Sequence, residues 1–439
     1  MSDHIDSLQD VSDPKGSGDS GDPKASGDSE TSVEVERIPV TEPREGLPQI
    51  VSTPEQLAEL ATAISNGTGP VALDAERASG FKYSQRAYLI QLRRNGSGSH
   101  LIDPILFPNL QPLQDSLIGV DWILHAASQD LVCLAEVGLI PTANVFDTEL
   151  AGRLLGLPRV GLGPLIETQL GFTLAKEHSA ADWSTRPLPE SWLNYAALDV
   201  EFLIELWEVL EAQLQEAGKH HWAIQEFDHV RRTTGPIERI DPWRRTSGMH
   251  VIRKQRDLAV IREVWYARDE VAREQDIAAG RILSDSHIVT IASSGLTKEA
   301  ELKSLSFMHL RNVKRHSDTW ITATLKAHSL PDDELPALKL PVTGPPAPRN
   351  WEVRNPQAWL RLEFARTELS TIAEKLGLPI ENLMTPDTIR RVLWAPPESV
   401  DLLPQTLADL GARPWQIEIV CPVLETAIWG LTQNESNEP

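Results

Sequence analysis

The sequence predicts a mixed α/β domain followed by two small all-α domains. Short apolar runs alternate with amphipathic stretches between residues 71 and 213, which is typical of a sheet covered by helices. A long amphipathic stretch follows at 251–278, and a segment with six prolines at 330–349 separates it from a last helical region at 350–435. A chain of 439 residues is long enough for two or three domains.

The strands and helices of the α/β domain occur in a definite order. The strand-like runs are Val71–Leu73, Tyr88–Leu92, His100–Ile102, Trp122–His125 and Val145–Phe146. Helical periodicity is found at Pro54–Ser65, Gln129–Val137, Thr148–Leu155 and Ser191–Gln213. The first three strands are close enough for hairpins, and the later ones alternate with helices. This order is compatible with a three-stranded meander followed by α/β units, with helices on both faces of the sheet.

The N-terminal segment, residues 1–46, has the composition of a disordered acidic tail. It is rich in Ser, Gly, Asp and Pro and contains a nine-residue repeat that begins at Asp13 and again at Asp22. Such a segment cannot bury enough apolar surface to order itself. A regulatory role is the alternative to a simple solvated tail.

The cysteine content and the distribution of apolar residues indicate the cellular compartment in which the protein is expected. The two cysteines, Cys133 and Cys421, lie far apart in apolar surroundings, so reduced core thiols are expected rather than a disulfide framework. No stretch approaches the ~18 apolar residues of a membrane span. The N-terminus lacks the basic and apolar regions of a secretory signal. These observations predict a cytoplasmic protein.

The net charge of −22 is unusual for a protein that binds nucleic acid. Its distribution is uneven, because residues 1–46 carry −8 whereas residues 231–326 carry +6. Net charge therefore neither supports nor excludes a nucleic-acid substrate, and the local motifs decide.

Four acids and a tyrosine are placed so that they can converge. Asp74 and Glu76 are two residues apart after a buried strand, so they project from the same face. Tyr195 and Asp199 are four residues apart on a predicted helix and also share a face. Asp130 lies where a helix would begin after an apolar run. Each motif alone is more typical of an ordinary surface strand end, helix start or helix face.

Convergent carboxylates repel one another unless cations neutralise them. Hard oxygen ligands suit Mg²⁺ or Mn²⁺. Two such ions ~3.5–4 Å apart form a clamp for phosphoryl transfer. The ordered set of motifs therefore predicts a metal site.

This set resembles the DEDD family of 3′→5′ exonucleases, and most closely the ribonuclease D family. The matching motifs are Leu73-Asp74-Ala75-Glu76, Tyr88-Leu89-Ile90-Gln91-Leu92, His125–Leu131 with Asp130, Phe146-Asp147-Thr148, Asp182–Leu188 and Asn194–Asp199. The resemblance covers about residues 47–326. It implies a ribonuclease H-like exonuclease domain that removes nucleoside 5′-monophosphates from single-stranded RNA 3′ ends, with precursors of tRNA as the expected substrates.

The resemblance also implies a role for each motif residue. Asp74 would bridge two divalent cations, Mg²⁺ or Mn²⁺, with Glu76 and Asp199 completing the site of the attacking water and Asp130 helping to hold the second ion. Tyr195 would orient that water and accept its proton. The His subtype of the family needs a histidine five residues before the last acid, where this chain has Asn194, so the Tyr subtype is expected.

Substrate contacts are predicted from residues near these motifs. Phe81, Tyr83 and Arg86 follow the first motif, and their rings and cations suit base stacking and phosphate binding. Arg77 stands where the family often has an aromatic residue. His125 is either a hydrogen-bonded core residue or a residue near the scissile phosphate.

Other motif residues receive structural interpretations. Gln91 is expected to brace the neighbouring strands. Trp183 and Arg186 are expected to shape a structural loop.

The helical regions resemble HRDC domains, the module shared by RecQ helicases and ribonuclease D. The resemblance implies an exonuclease domain at 47–230, an HRDC domain at 250–326 and an HRDC-like domain at 350–435. Composition adds a disordered acidic tail at 1–46 and a proline-rich linker at 327–349. RNA binding by the basic HRDC region and protein contacts by it are both open.

Two other functions remain open from the sequence. A DNA exonuclease of the Werner type shares the same active-site chemistry, although no helicase signature is present. A catalytically silent RNA-binding scaffold is the non-enzymatic alternative, which the complete set of acids disfavours. No stable protein partner can be deduced.

Overall fold

A six-stranded mixed sheet organises the N-terminal half of the chain. The computed structural model describes residues 37–174, 181–235, 239–341 and 344–430. Its strands are β1 (Ile38–Val40), β2 (Ile50–Val51), β3 (Thr68–Arg77), β4 (Ala87–Asn95), β5 (Gly98–Ile102), β6 (Trp122–Leu124), β7 (Val145–Asp147) and β8 (Phe172–Leu174). The large sheet has the order β2-β5-β4-β3-β6-β7, and β1 pairs with β8.

The topology combines an antiparallel meander with parallel strands. β3, β4 and β5 are antiparallel neighbours, whereas β6 and β7 add in parallel beside β3. Parallel neighbours need crossover connections, which helices supply here. The predicted mixed α/β fold, a meander followed by α/β units, is confirmed.

Helices cover both faces of this sheet. They are α1 (Pro54–Asn66), α2 (Gln111–Ser116), α3 (Asp130–Glu136), α4 (Thr148–Leu154), α5 (Leu162–Leu170), α6 (Glu190–Glu201), α7 (Leu203–Glu216) and α8 (His220–Thr233). Alternate residues of β3 face opposite ways, so Leu73 packs in the core formed with α1 to α3, and Ala72 in the core that contains α4 to α8.

The predicted helix over 191–213 is two helices in the structure. Phe202 leaves helical geometry (φ −113°, ψ 4°) and separates α6 from α7. Its ring is fully buried and stacks on Phe172 with a centroid separation of 4.7 Å. The break lets α6 lie against β3, β4 and β5 while α7 packs on α4 and α5.

A first helical domain follows the sheet domain. It contains α9 (Gln255–Gln275), α10 (Ala279–Ile282), α11 (Asp285–Ser294), α12 (Glu299–Lys303), α13 (Arg311–Arg315) and α14 (Ser317–Ser329). Its core includes the buried Trp243 and Trp320. The long amphipathic helix predicted at 251–278 is therefore α9, shortened at both ends.

A second helical domain shares its core with the sheet domain. It contains α15 (Trp351–Arg354), α16 (Pro356–Leu376), α17 (Ile380–Leu383), α18 (Pro386–Trp394), α19 (Leu403–Asp409), α20 (Pro414–Glu425) and a π-helical turn at Thr426–Gly430. One apolar cluster runs from α4–α8 into α16–α20. Trp222 stacks on Trp415 at 4.8 Å, and buried Lys219 donates to the carbonyl oxygens of Leu154 and Leu376, each at 2.7 Å.

Parts of the predicted tail and of the predicted linker belong to folded elements in the structure. Residues 1–36 of the tail lie outside the described residues, but 37–46 are ordered, because Ile38–Val40 pairs with β8 and Arg44 forms ion pairs with Glu201 and Glu205. Of the predicted linker at 327–349, the first three residues belong to α14. Leu330 and Leu335 then pack on the first helical domain. Among the described residues, no helix is both long and apolar enough to cross a bilayer.

Candidate active site

Strand β3 brings two carboxylates to one face of the sheet. Asp74 lies opposite Gln91 on β4, and Glu76 lies opposite Leu89. The sequence identified the apolar run Val71–Leu73 and used strand geometry for the two acids that follow it. The structure extends β3 through both acids to Arg77, with a register shift after Glu76. Because the strand holds its regular geometry through both acids, their side chains point toward α6.

Helix α6 supplies the facing residues. One oxygen each of Asp74, Glu76 and Asp199 lies within 4.8 Å of the others. Tyr195, one helical turn before Asp199, shares a hydrogen bond with its carboxyl group. The centroid of the Tyr195 ring lies 6.5 Å from that of the fully buried Trp183 ring.

Asp130 joins the cluster from the other side. It is the first residue of α3, is buried, and shares a hydrogen bond with the Asp74 carboxyl. The turn that places it contains Ala126 in the left-handed region (φ 55°). The buried carboxylate of Asp147 accepts the backbone N–H groups of Ala126 and Ala127 at 3.1 and 2.8 Å. Asp147 therefore fixes the turn from which Asp130 reaches the site.

Burial and mutual repulsion make this cluster a poor host for four negative charges. Burial raises the pKa of Asp74 to about 6. Burial, and then the charges of Asp74, Asp199 and Asp130, raise the pKa of Glu76 to about 10. The pKa values of Asp130 and Asp199 are also raised, first by burial and then by the neighbouring carboxylate of Asp74.

The donor set fits divalent cations. Ionised carboxylates supply only oxygen acceptors, and hard cations such as Mg²⁺ and Mn²⁺ prefer oxygen ligands. Arg77 is a nearby cation that opposes the pKa shifts of Asp74 and Glu76, and one guanidinium cannot balance four carboxylates. A cation bound between these oxygens would remove the repulsion that otherwise keeps protons on them.

Two residues predicted to bind substrate, Phe81 and Tyr83, contact the first helical domain. The Tyr83 hydroxyl donates to Asp269 at 3.0 Å, and the Arg281 guanidinium lies 4.0 Å above the Phe81 ring. Both half-buried side chains therefore lie where the sheet domain and the first helical domain meet. The sequence could not show this, because the contacting residues are about 190 positions away.

The structure gives the other predicted side chains different settings. His125 shares a hydrogen bond with Thr148 at 2.9 Å, and burial lowers the pKa of its imidazole to about 4, as expected for the core alternative. Arg86 lines a separate depression together with Pro104 and Glu136. Arg77 donates to Gln129 at 3.4 Å, beside the start of α3.

The loop before α6 has a structural role. Arg186 makes a two-pronged ion pair with the buried Asp103 at 2.6 and 2.8 Å and donates to the Tyr88 carbonyl oxygen at 2.7 Å. Trp183 packs against Trp192 at 5.3 Å. These contacts tie the loop to β4 and β5 and so fix where α6 begins.

Gln91, which the sequence predicted only as a brace between strands, is a buried residue beside the acids. Its side chain is fully buried, and within the described part of the chain its amide oxygen and nitrogen have no hydrogen-bond partner. Its position opposite Asp74 places it on the acidic face of the sheet. The register of the two strands is the signal that identifies it, and the sequence motif alone does not.

Comparisons with known proteins agree with this geometry. A 3′-5′ exonuclease family model matches residues 48–215, an HRDC domain model matches 257–324, and a 3′ to 5′ exonuclease C-terminal domain model matches 344–428. The ribonuclease D of Escherichia coli K12 is 30% identical over 296 residues, which cover 66% of this chain and 77% of that protein. The ribonuclease D of Pseudomonas paraeruginosa is 31% identical over 63% of this chain and 73% of that protein.

Solved structures of similar proteins also match this chain over most of its length. A protein from Bifidobacterium adolescentis has a TM-score of 0.82 at 36% identity, covering 90% of this chain and all of that one. The Escherichia coli RNase D structure, described as an exoribonuclease involved in structured RNA processing, has a TM-score of 0.66 at 26% identity and covers 87% of this chain and 99% of that one. The likeness therefore extends beyond the sheet domain to the helical domains.

Proposed function

Because this chain belongs to the ribonuclease D family of 3′→5′ exoribonucleases, we propose that it shortens single-stranded RNA 3′ ends by two-metal phosphodiester hydrolysis. The observation that carries this proposal is that one carboxylate oxygen each of Asp74, Glu76 and Asp199 lies within 4.8 Å of the others. Asp130 shares a hydrogen bond with Asp74. The products would be nucleoside 5′-monophosphates.

The four acids would hold two divalent cations, Mg²⁺ or Mn²⁺. When bound, the ions lower the pKa of the nucleophilic water and stabilise the leaving 3′ oxygen. Asp74 is near Glu76 and Asp199 and shares a hydrogen bond with Asp130, so it would contact both ions. Glu76 and Asp199 would complete the site of the attacking water, and Asp130 would help to hold the second ion.

Tyr195 would orient the attacking water. Burial, and then the charges of Asp199 and Glu76, raise the pKa of its phenol, so the hydroxyl keeps its proton in these surroundings. A neutral phenol both donates and accepts hydrogen bonds. The Tyr195 oxygen can thus hold the water beside the phosphodiester, and proton acceptance from that water requires the field of the cations.

We propose domain limits from the sequence pattern, the fold and the matched family models. The exonuclease domain is placed at 47–230, the HRDC domain at 250–326 and the C-terminal HRDC-like domain at 350–435. The ordered segment 37–46 is added to the exonuclease domain because of its pairing with β8. The linker proposed for 327–349 is shortened at its start, because α14 continues to Ser329.

The substrate we propose is the 3′ end of structured RNA, with tRNA precursors as the specific case. The description of the Escherichia coli relative as a structured-RNA processing enzyme supports the class. A cytoplasmic location, where precursor RNA is available, belongs to the same proposal. A tRNA carrying a 3′ trailer, digested beside the mature tRNA, tests whether shortening stops at the mature end.

The direct test uses purified protein and 5′-labelled single-stranded RNA with Mg²⁺ or Mn²⁺. We expect a ladder of shortened products that chelator abolishes, and that Asp199→Asn reduces by at least about a thousandfold. Asp121→Asn is the matched control, because Asp121 is an exposed acid of the same domain. Its carboxylate accepts a hydrogen bond from the backbone N–H of Asn144. An unchanged ladder in Asp199→Asn would contradict the proposal.

The same assay separates the alternatives. A matched DNA oligonucleotide digested faster than the RNA would favour a Werner-type DNA exonuclease. Calorimetry without any Mg²⁺ or Mn²⁺ binding, together with RNA binding and no digestion, would favour a silent scaffold.

A further inference from the structure

A buried glutamine lies directly beside the acidic cluster. Gln91, in the middle of β4, is fully buried, and both its amide oxygen and its amide nitrogen lack a hydrogen-bond partner among the residues that the structure describes between 37 and 430. A buried amide has given up its hydrogen bonds to water, so an unpartnered one costs about as much free energy as a lost hydrogen bond. Folded proteins keep few such groups, and one beside a candidate ion site therefore indicates a role in that site.

The register of the sheet places this amide next to Asp74. Gln91 pairs with Asp74 on β3 and with Leu101 on β5. Directly paired residues of antiparallel strands carry their side chains on the same face, with Cβ atoms about 4.5–5.5 Å apart. A glutamine side chain is long enough to bring its amide across that gap to a carboxylate. Asp74 is therefore the polar side chain that β3 presents to Gln91, whereas β5 presents a leucine.

The neighbours of Gln91 along β4 are apolar or already paired. Leu89 lies two residues before it and packs in the apolar cluster beneath α6. Arg93 lies two residues after it, and its guanidinium contacts Ser99 and Glu201. A brace between strands would form hydrogen bonds across the sheet, and the Gln91 amide forms none with the described residues. The acidic site is thus the polar environment that the amide can reach.

The Asp74 carboxyl group needs a new donor when the site holds a cation. It shares a hydrogen bond with Asp130, and such a bond between two carboxyl groups contains a proton. A cation held by both acids takes the place of that proton, because metal ligands are deprotonated. Both oxygens of the Asp74 carboxylate can then only accept hydrogen bonds. The amide nitrogen of Gln91, a buried donor that lacks an acceptor, lies on the adjacent strand.

We propose that Gln91 is a positioning residue of the cation site, and that its amide nitrogen donates to the Asp74 carboxylate and fixes its orientation when the site is loaded. This inference rests on the proposed function. Gln91 acts through Asp74 and contacts neither RNA nor the reacting atoms, because its side chain is fully buried. Replacing a residue that holds a metal-ligating side chain typically weakens metal binding by about 10–100-fold.

Gln91→Met in the full chain tests this assignment. Methionine keeps the unbranched shape of glutamine but carries no amide. Without a cation, the variant loses an unpartnered polar group, so its melting temperature in chelator should rise above that of wild type. With Mn²⁺, the Asp74 carboxylate loses its donor, so the dissociation constant measured by calorimetric titration should increase about tenfold or more. The variant should thus be more stable without the ion and bind the ion more weakly.

Gln416→Met is the matched control. Gln416 in α20 is also a buried glutamine, but its amide is paired at both atoms. Its nitrogen donates to the Asn382 carbonyl oxygen at 2.8 Å, and its oxygen accepts from the Arg413 backbone N–H at 3.1 Å. The same substitution here leaves two polar partners unsatisfied, so the melting temperature should fall. The dissociation constant for Mn²⁺ should stay at the wild-type value.

The dependence of activity on Mn²⁺ gives a second readout. Because Gln91 orients a ligand and does not touch the substrate, Gln91→Met should raise the Mn²⁺ concentration for half-maximal digestion of 5′-labelled RNA. This increase should match the increase in the dissociation constant, and the KM for RNA at saturating Mn²⁺ should stay at the wild-type value. A raised KM with an unaltered Mn²⁺ requirement would overturn the proposal, since it would assign Gln91 to RNA binding.

The remaining outcomes separate this inference from the proposed function. Equal Mn²⁺ dissociation constants in wild type and Gln91→Met would overturn the role of Gln91 and leave the proposed function intact. A Gln91→Met protein that melts below wild type in chelator would also overturn it, because the amide would then be stabilising without the ion. Wild-type protein that binds no Mn²⁺ would overturn both. If wild type binds Mn²⁺ but digests no RNA, and both expected shifts occur in Gln91→Met, the role of Gln91 is supported and the proposed hydrolysis is contradicted.

Discussion

At the scale of single residues, the acidic cluster lowers the stability of the metal-free protein, because its carboxyl groups are buried close together. Glu76 ionises near pH 4.5 in an unfolded chain, but in the folded one its pKa is about 10. The unfolded state therefore releases the proton first, and the free energy of unfolding falls as pH rises through that window. Residues suited to metal binding are for the same reason destabilising without metal.

Glu76→Gln should therefore stabilise the metal-free protein. We expect the variant to exceed wild type in free energy of unfolding by more than about 1.4 kcal/mol at pH 8, the equivalent of one pKa unit, and by less at pH 5. Thermal melts in chelator at pH 5, 6.5 and 8 measure this. A difference independent of pH would contradict it, and added Mn²⁺ should reverse the order of the two proteins.

Tyr195 should act on the rate and not on the fold. Tyr195→Phe keeps the ring that packs near Trp183 but removes the hydroxyl that meets Asp199. We expect kcat to fall about 10²-fold, the lower range for a positioned proton-transfer group, with an unchanged melting temperature. Tyr266→Phe, at a 45% exposed ring in α9, is the control and should leave kcat unaltered.

At the scale of elements, the turn between β6 and α3 determines whether Asp130 reaches the site. Asp147 Oδ1 accepts the N–H groups of Ala126, Glu149 and Leu150, and Oδ2 accepts that of Ala127. One carboxylate thus caps α4 and holds the turn before α3. Asp130 lies in the segment that follows β6, and Asp147 is the last residue of β7, so the two acids are connected through neighbouring parallel strands.

Asp147→Asn should loosen this turn. The new amide cannot accept hydrogen bonds on both sides, so we expect a loss of about 1–3 kcal/mol in stability and a larger relative loss in Mg²⁺ or Mn²⁺ affinity. Calorimetric titration of the ion and urea unfolding measure the two effects. Asp121→Asn changes an exposed acid that accepts hydrogen bonds from Asn144 and serves as the control. Equal losses in both variants would count against a special role for Asp147.

At the scale of the whole molecule, the second helical domain is joined to the exonuclease domain by close packing. Gly156 has φ 71°, and a Cβ atom there would overlap the Gly377 carbonyl oxygen. Glu226 reinforces the contact by accepting from Arg413 and from the Trp415 indole, each at 2.7 Å. The C-terminal helices are therefore part of the folded unit and not a tethered accessory.

A pair of glycine substitutions measures this packing. Gly138 (φ 84°) has nothing within 4 Å of the position that an alanine methyl group would occupy, so Gly138→Ala carries only the left-handed backbone cost of about 1–2 kcal/mol. Gly156→Ala carries the same cost and must also separate the domains, so we expect it to be at least about 2 kcal/mol more destabilising, in the range of overpacked sites. Urea unfolding measures the free energy of unfolding of both variants. Equal losses would show that the interface between the domains accommodates the added methyl group at no cost.

The sequence by itself determined the α/β character of the first domain and the pairs Asp74 with Glu76 and Tyr195 with Asp199, because strand and helix periodicity are local properties. The ordered set of motifs, through its resemblance to a known family, also predicted the domain order and the grouping of the distant acids. The sequence could not determine that residues 37–46 join the sheet domain, that Phe202 divides a helix, or that Phe81 and Tyr83 face Arg281 and Asp269. These features depend on contacts between residues far apart in the chain, which no local pattern encodes. Only the tertiary structure could show which apolar and charged surfaces meet.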